Sequence, residues 1–190
     1  LDVAAGTGGF CLALKQRRGA QLEVTASDLC GGYLEAGAQQ ARAAGLEVQF
    51  RPLDALKLDG LSPGSFDIVT CTQSLHHFSA GVAARLLAQC ARLATTGVCF
   101  IDGERGLPPL VTMAPLMALY GRDWPVVHDT IVSIRRMYLA EEMQLLAALV
   151  PHPLTHCAVR CERFGPGHAY IMLRHLPTAS APTPARGGLF

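Results

Sequence analysis

Short apolar runs alternate with longer segments of helical periodicity along this chain of 190 residues. Apolar runs of this kind fit strands that are buried on both faces, as in a parallel sheet. Parallel neighbours need crossover connections, which are usually helices. The alternation therefore predicts an α/β fold with a doubly wound, mostly parallel sheet. The predicted strands are Leu1–Ala5, Leu22–Ser27, Val48–Arg51, Phe66–Thr70, Val98–Asp102, Thr155–Arg163 and His168–His175, and the predicted helices are Gly9–Gln16, Tyr33–Ala44 and Ser79–Ala94.

The last two predicted strands are separated only by Gly165, Pro166 and Gly167, which is too short for a crossover. They are therefore expected to pair as an antiparallel hairpin, so that the sheet is mixed at one edge. At the other predicted connections, glycines such as Gly19, Gly45 and Gly97 are expected to end the helices.

One domain is predicted over residues 1–176. Within it, residues 103–150 interrupt the alternation with an apolar, Met-rich segment and a helix near Ala140–Val150, and are expected to form an inserted helical lid or substrate-binding element. Residues 177–190 are rich in small residues and proline and bury too little apolar area to offset their ordering entropy, so a disordered tail is predicted.

Charge and hydropathy exclude two classes of partner. The formal net charge is +1, which gives no field that attracts a phosphate backbone, so nucleic acid is not expected to bind. The most apolar stretch, Leu107–Tyr120, contains three prolines and falls short of the ~20 residues that cross a bilayer, so no membrane span is predicted. Seven cysteines without a paired framework indicate reduced thiols in a cytoplasmic protein. Because the chain begins Leu-Asp-Val, we expect it to be truncated at its N-terminus.

Residues Leu1–Phe10 read as a strand, a small-residue turn and the start of a helix. Gly6 and Gly8 lack a Cβ atom, so backbone there can approach a ligand at the N-terminus of the helix. The alternative interpretation is a tight turn with no ligand.

Two acidic residues flank this loop. Asp28 ends the second predicted strand, where a carboxylate can accept hydrogen bonds from a ribose diol; the alternative is an N-cap of the next helix. Asp2 is expected to point its charge into the same crevice. At ~6 Å and an effective dielectric constant of ~20, that charge would oppose a phosphate, and favour a sulfonium, by roughly 3 kcal/mol. The third glycine of G-x-G-x-x-G is also missing, so a nicotinamide-dependent oxidoreductase is the less favoured interpretation.

With these residues the chain resembles class I S-adenosylmethionine-dependent methyltransferases, whose first motif is an acidic residue followed by G-x-G-x-G. Asp2–Gly8 matches that motif with Ala4 in place of the first glycine, a mild departure provided that the backbone there needs no positive φ. Phe66–Thr70 resembles the family's F-D-x-V strand, and the loop Gln73–Phe78 resembles the one that borders the methionine moiety.

The resemblance implies a Rossmann-like fold and S-adenosylmethionine as cofactor, with S-adenosylhomocysteine as product. It implies a small-molecule acceptor, with a hydrophobic or aromatic molecule as the candidate. The insertion is similar in outline to lids of small-molecule members such as the ubiquinone and menaquinone group. The cofactor-binding residues that it implies are Asp2, Ala4, Gly6, Thr7, Gly8, Asp28, Leu29, Asp54, Ala55 and Gln73. The alternative is a module that binds the cofactor without turnover, or a partner subunit.

The candidate acceptor-side residues follow the fourth strand or lie in the insertion. His76 and His77 are candidate bases, since histidine titrates near neutral pH; the alternative is that they pack or cap the next helix. His128, Asp129 and Arg135 are candidate substrate-binding residues, with an ordinary surface position as the alternative.

No metal site is predicted. The spacing of His152 and His156 serves a metal when it lies on a helix, but here it leads into a predicted strand with Cys157 and Cys161.

Overall fold

The computed structural model describes residues 1–107, 111, 115, 124–150, 154, 156–165 and 167–176. It contains a seven-stranded sheet in the order β3-β2-β1-β4-β5-β7-β6. The strands are β1 (Asp2–Val3), β2 (Thr25–Asp28), β3 (Gln49–Pro52), β4 (Phe66–Thr72), β5 (Ala94–Gly103), β6 (Cys157–Phe164) and β7 (His168–His175).

The strand directions confirm the predicted mixed sheet. The neighbours from β3 through β5 pair in parallel, whereas β7 pairs antiparallel with both β5 and β6. The C-terminal hairpin is thus present, although its first strand begins at Cys157 rather than Thr155.

Helices flank the sheet as the alternation predicts. The described helices are α1 (Gly9–Arg18), α2 (Gly31–Ala43), α3 (Ala80–Leu93), α4 (Trp124–Arg136) and α5 (Ala140–Ala148). The main core lies between the sheet and the pair α3 and α5, with Phe100 and Ile171 among its buried side chains.

Helix α5 belongs to this core. Met143 and Leu146 are buried in it, and α5 contacts α3, β6 and β7. Residues 140–148, which the sequence analysis assigns to an insertion, therefore form part of the layer that covers the sheet. The expectations for most of Leu107–Tyr120 and for the tail 177–190 fall outside the described residues.

Strand β5 begins directly where α3 ends, so the predicted turn at Gly97 is wrong. Gly97 lies inside β5, and a Cβ atom built on it would collide with the carbonyl oxygen of Leu173 in β7. The glycine is needed for the close approach of two strands and not for the end of a helix.

Across the residues described, no helix combines the length and the apolar character that crossing a bilayer requires.

Candidate functional site

The loop after β1 and the end of β2 are joined by one carboxylate. The backbone N–H of Gly6 donates to Oδ2 of Asp28 at 2.8 Å, and the N–H of Cys30 donates to Oδ1 at 2.9 Å. The N-cap of α2 is Cys30, so Asp28 is not the cap that the alternative interpretation required. Each carboxylate oxygen has a second lone pair, which leaves acceptor capacity for a ligand hydroxyl.

The two loop glycines have different roles. Gly6 has φ +56°, and a Cβ atom built on it meets nothing within 4 Å, so the backbone there borders open space. Gly8 has φ +73°, but its Cβ position lies 3.0 Å from Phe50 and 3.2 Å from Ala26. The expectation of ligand approach therefore fits Gly6, whereas Gly8 is required by packing between the loop and the sheet.

The substitution of alanine for the first motif glycine is not mild. Ala4 has φ +52°, in the left-handed region that the sequence analysis had assumed it avoids. A non-glycine residue there costs roughly 1–2 kcal/mol. The strain also shortens the first strand, since β1 ends at Val3 and not at Ala5.

A second strained residue lies across the crevice. Gln73, just after β4, has φ +56°, and its N–H donates to the carbonyl oxygen of Ile101 at 2.8 Å. The adjacent Ser74 hydroxyl donates to the carbonyl oxygen of Ala4 at 2.8 Å. Two unusual backbone conformations at neighbouring strand ends are thus connected by one hydroxyl, and such strain concentrates at functional sites.

The carboxylate of Asp2 is buried and not exposed to the crevice. It is 2% exposed and accepts hydrogen bonds from the hydroxyls of Thr70 at 2.7 Å and Thr72 at 3.0 Å. Burial raises the pKa of Asp2 above its ordinary value, and the two hydroxyl bonds oppose that shift only in part. The expectation that Asp2 offers a free charge to a ligand is therefore corrected.

The remaining predicted contacts lie beside Asp28. The side chain of Leu29 is 72% exposed. Asp54 accepts a hydrogen bond from the N–H of Leu56 at 2.9 Å, and Ala55 is half-buried against the core. Thr7 follows Gly6, and its carbonyl faces Gly37 of α2.

His76 is held by an acidic residue that the sequence analysis missed. Its Nδ1 lies 2.9 Å and 3.0 Å from the two carboxylate oxygens of Asp102, and its backbone N–H donates to Oδ2 at 2.7 Å. Asp102 is fully buried at the end of β5, beside β4. Its position gave a usable signal, because the carboxyl ends of neighbouring parallel strands meet at one edge of the sheet.

His77 has a different environment. It is exposed, and its ring centroid lies 4.2 Å from that of His76. Partial desolvation, reinforced by His76, lowers the pKa of His77 from its ordinary value. Asp129 and Arg136 of α4 act on its charge in opposite directions.

Helix α4 lies against the turn that contains the two histidines. His128, Asp129 and Arg135 are all exposed on this helix. The segment after α4 is also attached to the turn, because the Tyr138 hydroxyl donates to the carbonyl oxygen of Phe78 at 2.6 Å. The described residues thus place α4 beside the crevice, where an acceptor contact is still a prediction.

A cavity of about 630 Å³ lies elsewhere, at the amino ends of the strands. Asp2, Phe10 and Ile68 are among its lining residues, whereas Gly6 and Asp28 are not. No cluster of metal-ligating side chains occurs in the part of the chain that the structure describes, and His152 is outside that part.

Comparisons with known proteins show the family to which this chain belongs. A family model described as a methyltransferase domain matches residues 1–97. The chain is 38% identical over 150 residues to a demethylmenaquinone methyltransferase of Deinococcus radiodurans, covering 79% of this chain and 53% of the relative. It is 32% identical over 126 residues to a ubiquinone biosynthesis O-methyltransferase of Methylococcus capsulatus, covering 65% and 49%. This chain thus spans about half the length of these relatives.

A solved structure shares the fold over most of this chain. A SAM-dependent methyltransferase from Aquifex aeolicus superposes with a TM-score of 0.64 at 17% identity, covering 92% of this chain and 80% of the other.

Proposed function

We propose that this chain, which belongs to the class I S-adenosylmethionine-dependent methyltransferase family, binds the methyl donor through the loops after β1 and β2 and transfers the methyl group to a small molecule. The observation that supports this most directly is the hydrogen bond from Gly6 to Asp28, which joins the two loops at the carboxyl edge of the sheet. Open α/β sheets bind ligands at that edge, where the strand order reverses.

The residues present fit the donor. Open space at Gly6 admits a ligand against the backbone, and the free lone pairs of Asp28 can accept hydrogen bonds from the two ribose hydroxyls. Exposed Leu29 offers an apolar surface for the adenine ring. Asp54 and Ala55 follow Leu53, whose N–H donates to the carbonyl oxygen of Asp28 at 3.1 Å, and are proposed to contribute to the same surface. Ala4, Thr7, Gly8 and Gln73 complete the proposed donor site by shaping its backbone.

Asp2 supports this site indirectly. Its buried carboxylate is bonded to two hydroxyls of β4 and so ties β1 to β4 below the glycine loop. In this proposal Asp2 sets the spacing of the two strands between which the crevice opens.

When bound, the donor supplies an electrophilic methyl group on a sulfonium whose leaving group is neutral. The protein's own contribution is to align the acceptor and, where the acceptor carries a proton, to remove it. His76 and His77 lie on the turn after β4 and are proposed for that step. His128, Asp129 and Arg135, on the helix that packs against this turn, are proposed as acceptor contacts.

A small-molecule acceptor in the cytoplasm is favoured over a nucleic acid. A net charge of +1 does not attract the phosphate backbone of a nucleic acid. All seven cysteines are free thiols, as expected in a reducing compartment.

Calorimetric titration tests the donor site. We expect heat with S-adenosylmethionine and S-adenosylhomocysteine and none with NADH, and we expect Asp28→Ala to weaken binding of both by about 1–3 kcal/mol. Asp67→Asn is the matched control, because Asp67 is exposed at the amino end of β4, away from the loops. Binding of NADH alone, or equal affinity in folded Asp28→Ala, would refute the proposed site.

Incubation with methyl-labelled donor and a metabolite extract tests transfer. We expect a labelled small molecule to appear in a time-dependent way. Tight donor binding without any labelled product would favour the non-catalytic binding module instead.

A further inference from the structure

We infer that Asp102 is a positioning residue, which fixes His76 in the tautomer protonated on Nδ1 and so makes Nε2 the nitrogen that takes the proton of the acceptor. The inference rests on the function proposed above, because only a transfer reaction gives His76 an acceptor to deprotonate. It also separates the two adjacent histidines, of which only His76 has this partner.

The hydrogen bonds of Asp102 determine the tautomer. Its two oxygens accept the backbone N–H groups of His76 and Gly103, each at 2.7 Å. Among the described residues, the other hydrogen-bonding partner of both oxygens is Nδ1 of His76, at 2.9 Å and 3.0 Å. A lone pair on Nδ1 would face the carboxylate lone pairs across that distance, whereas an N–H there donates to them. The favourable arrangement therefore has the hydrogen on Nδ1 and a lone pair on Nε2.

Burial makes this arrangement persistent. Asp102 is 0% exposed and His76 is 8% exposed, so water can rarely replace either partner. Among the described residues no hydrogen bond reaches Nε2 of His76, and this nitrogen is left for a ligand. A base held by a buried acidic group in this way has the geometry of an oriented general base.

His77 lacks such a partner. In the described ranges no side chain forms a hydrogen bond with its ring, and its nearest ring neighbour is His76 itself. Its ring is exposed, so the described residues do not set its tautomer.

The proton balance is simple. As the electron pair of the acceptor forms its bond to the methyl carbon, the proton of the acceptor passes to Nε2. The pair of the broken carbon–sulfur bond stays on the sulfur, which leaves as a neutral thioether. His76 is then an imidazolium beside the Asp102 carboxylate, and it returns the proton to water after the products leave.

Asp102→Asn is the most informative variant because it preserves the side-chain shape. Its amide nitrogen must face one of the two backbone N–H groups that the carboxylate accepts, so its fold is first compared with that of wild type by circular dichroism. The amide NH₂ would donate to Nδ1 and thereby move the hydrogen to Nε2, the tautomer that cannot accept a proton. We expect kcat to fall about 100-fold, with KM and the affinity for S-adenosylhomocysteine within about twofold of wild type. His76→Gln should cost a similar factor, and the double variant should cost no more than either single one.

Two further readouts separate this role from a structural one. Nitrogen-15 spectra of histidine-labelled wild type should show the neutral imidazole of His76 protonated on Nδ1 and unprotonated on Nε2, which requires no variant to fold. The kcat of wild type should decline on the acid side of its pH profile, and that decline should be absent from the residual activity of His76→Gln. Asp67→Asn should match wild type in every measurement.

The acceptors in these assays are a panel of phenols and 1,3-dicarbonyl compounds, with methyl-labelled donor. Wild-type His76 protonated on Nε2, or Asp102→Asn with unchanged kcat, would overturn the inference. So would a His77→Gln variant that loses turnover while Asp102→Asn and His76→Gln retain it. Wild type that binds S-adenosylhomocysteine but methylates no member of the panel would overturn the base role while leaving the donor site intact. Failure of wild type to bind S-adenosylhomocysteine would instead refute the proposed function itself.

Discussion

Replacing Gly37 with alanine tests the contact that holds the glycine loop against α2. Gly37 is buried within α2, and a Cβ atom built on it meets the carbonyl oxygen of Thr7 and, at 2.6 Å, the Cε1 atom of Phe50. Ordinary carbon contacts lie at ~3.5–4.0 Å, so an alanine must push both groups away. Thr7 directly follows Gly6, and the push therefore displaces Gly6 relative to Asp28.

The expected magnitude follows from two opposing terms. Glycine to alanine inside a helix normally stabilises by about 0.5–1 kcal/mol, whereas overpacking a closed contact costs about 1–3 kcal/mol. The net expectation for Gly37→Ala is a loss of roughly 1–2 kcal/mol, or about 2–8 °C in Tm for a domain of this size. Displacement of Gly6 should also weaken S-adenosylhomocysteine binding about tenfold, which corresponds to ~1.4 kcal/mol.

Gly32→Ala is the matched control in the same helix. A Cβ atom built there meets only the Sγ atom of Cys30, at 4.0 Å, and the position is exposed. It should stabilise by about 0.5–1 kcal/mol and leave donor affinity unchanged. Urea unfolding, followed by circular dichroism, measures the stability, and calorimetric titration measures the donor affinity.

Equal behaviour of the two variants would refute this reasoning. If Gly37→Ala gained stability as Gly32→Ala does, the loop would be free to move away from α2 at no cost. If Gly37→Ala lost stability but kept full donor affinity, the position of Gly6 would not matter to the ligand.

Three other substitutions address separate features. Ala4→Gly removes a positive φ that costs roughly 1–2 kcal/mol but adds about 0.5–1 kcal/mol of chain entropy loss, so urea unfolding should show a net gain of about 0.5–1 kcal/mol; a loss would argue against strain. Asp2→Asn tests how the stability of the fold depends on pH. Because burial raises the folded-state pKa of Asp2, the stabilising contribution of this residue is complete below the ordinary pKa of aspartate and is lost as the pH rises through the raised value. The variant should therefore gain stability relative to wild type as the pH rises from below 3.8, the ordinary pKa of the group, to neutral pH, and an equal difference at both ends of that range would contradict this. Arg92→Lys removes one of the two bonds that the guanidinium donates to the carbonyls of Leu58 and Leu61, at 2.8 Å and 2.7 Å, and should cost about 1–3 kcal/mol in thermal unfolding, whereas unchanged stability would show that lysine replaces both.

The parts of the fold that depend on periodicity and topology are readable from the sequence. The alternation of apolar runs and helical segments leads to the mixed sheet, and the short link at Gly165–Gly167 leads to its antiparallel hairpin. Asp28 is also readable, because a residue at the end of a strand in such a sheet must lie at the carboxyl edge.

Features set by distant partners are not readable in this way. Gly97 is predicted as a turn because its neighbours in the sequence do not show why a glycine is needed there. The strand that leaves no room for a side chain at this position, β7, lies far along the chain. The end of the fifth predicted strand places Asp102 at the carboxyl edge, but its bond to His76, 26 positions earlier, depends on β4 and β5 being neighbours. Asp2 lies in the first strand as predicted, but its carboxylate is directed at a hydroxyl of β4. The sequence around Asp2 does not indicate this partner.

The hydroxyl of Ser74 has a consequence for kinetics. It donates to the carbonyl oxygen of Ala4, a left-handed residue in the loop proposed to hold the donor. Ser74 itself directly follows left-handed Gln73, at the start of the turn that carries the two histidines. Neither loop can relax its backbone without breaking this hydrogen bond or displacing the other loop. Binding of a ligand on one side of the crevice should therefore change binding on the other side. The order of substrate addition and the rate of product release should then both depend on this one hydrogen bond.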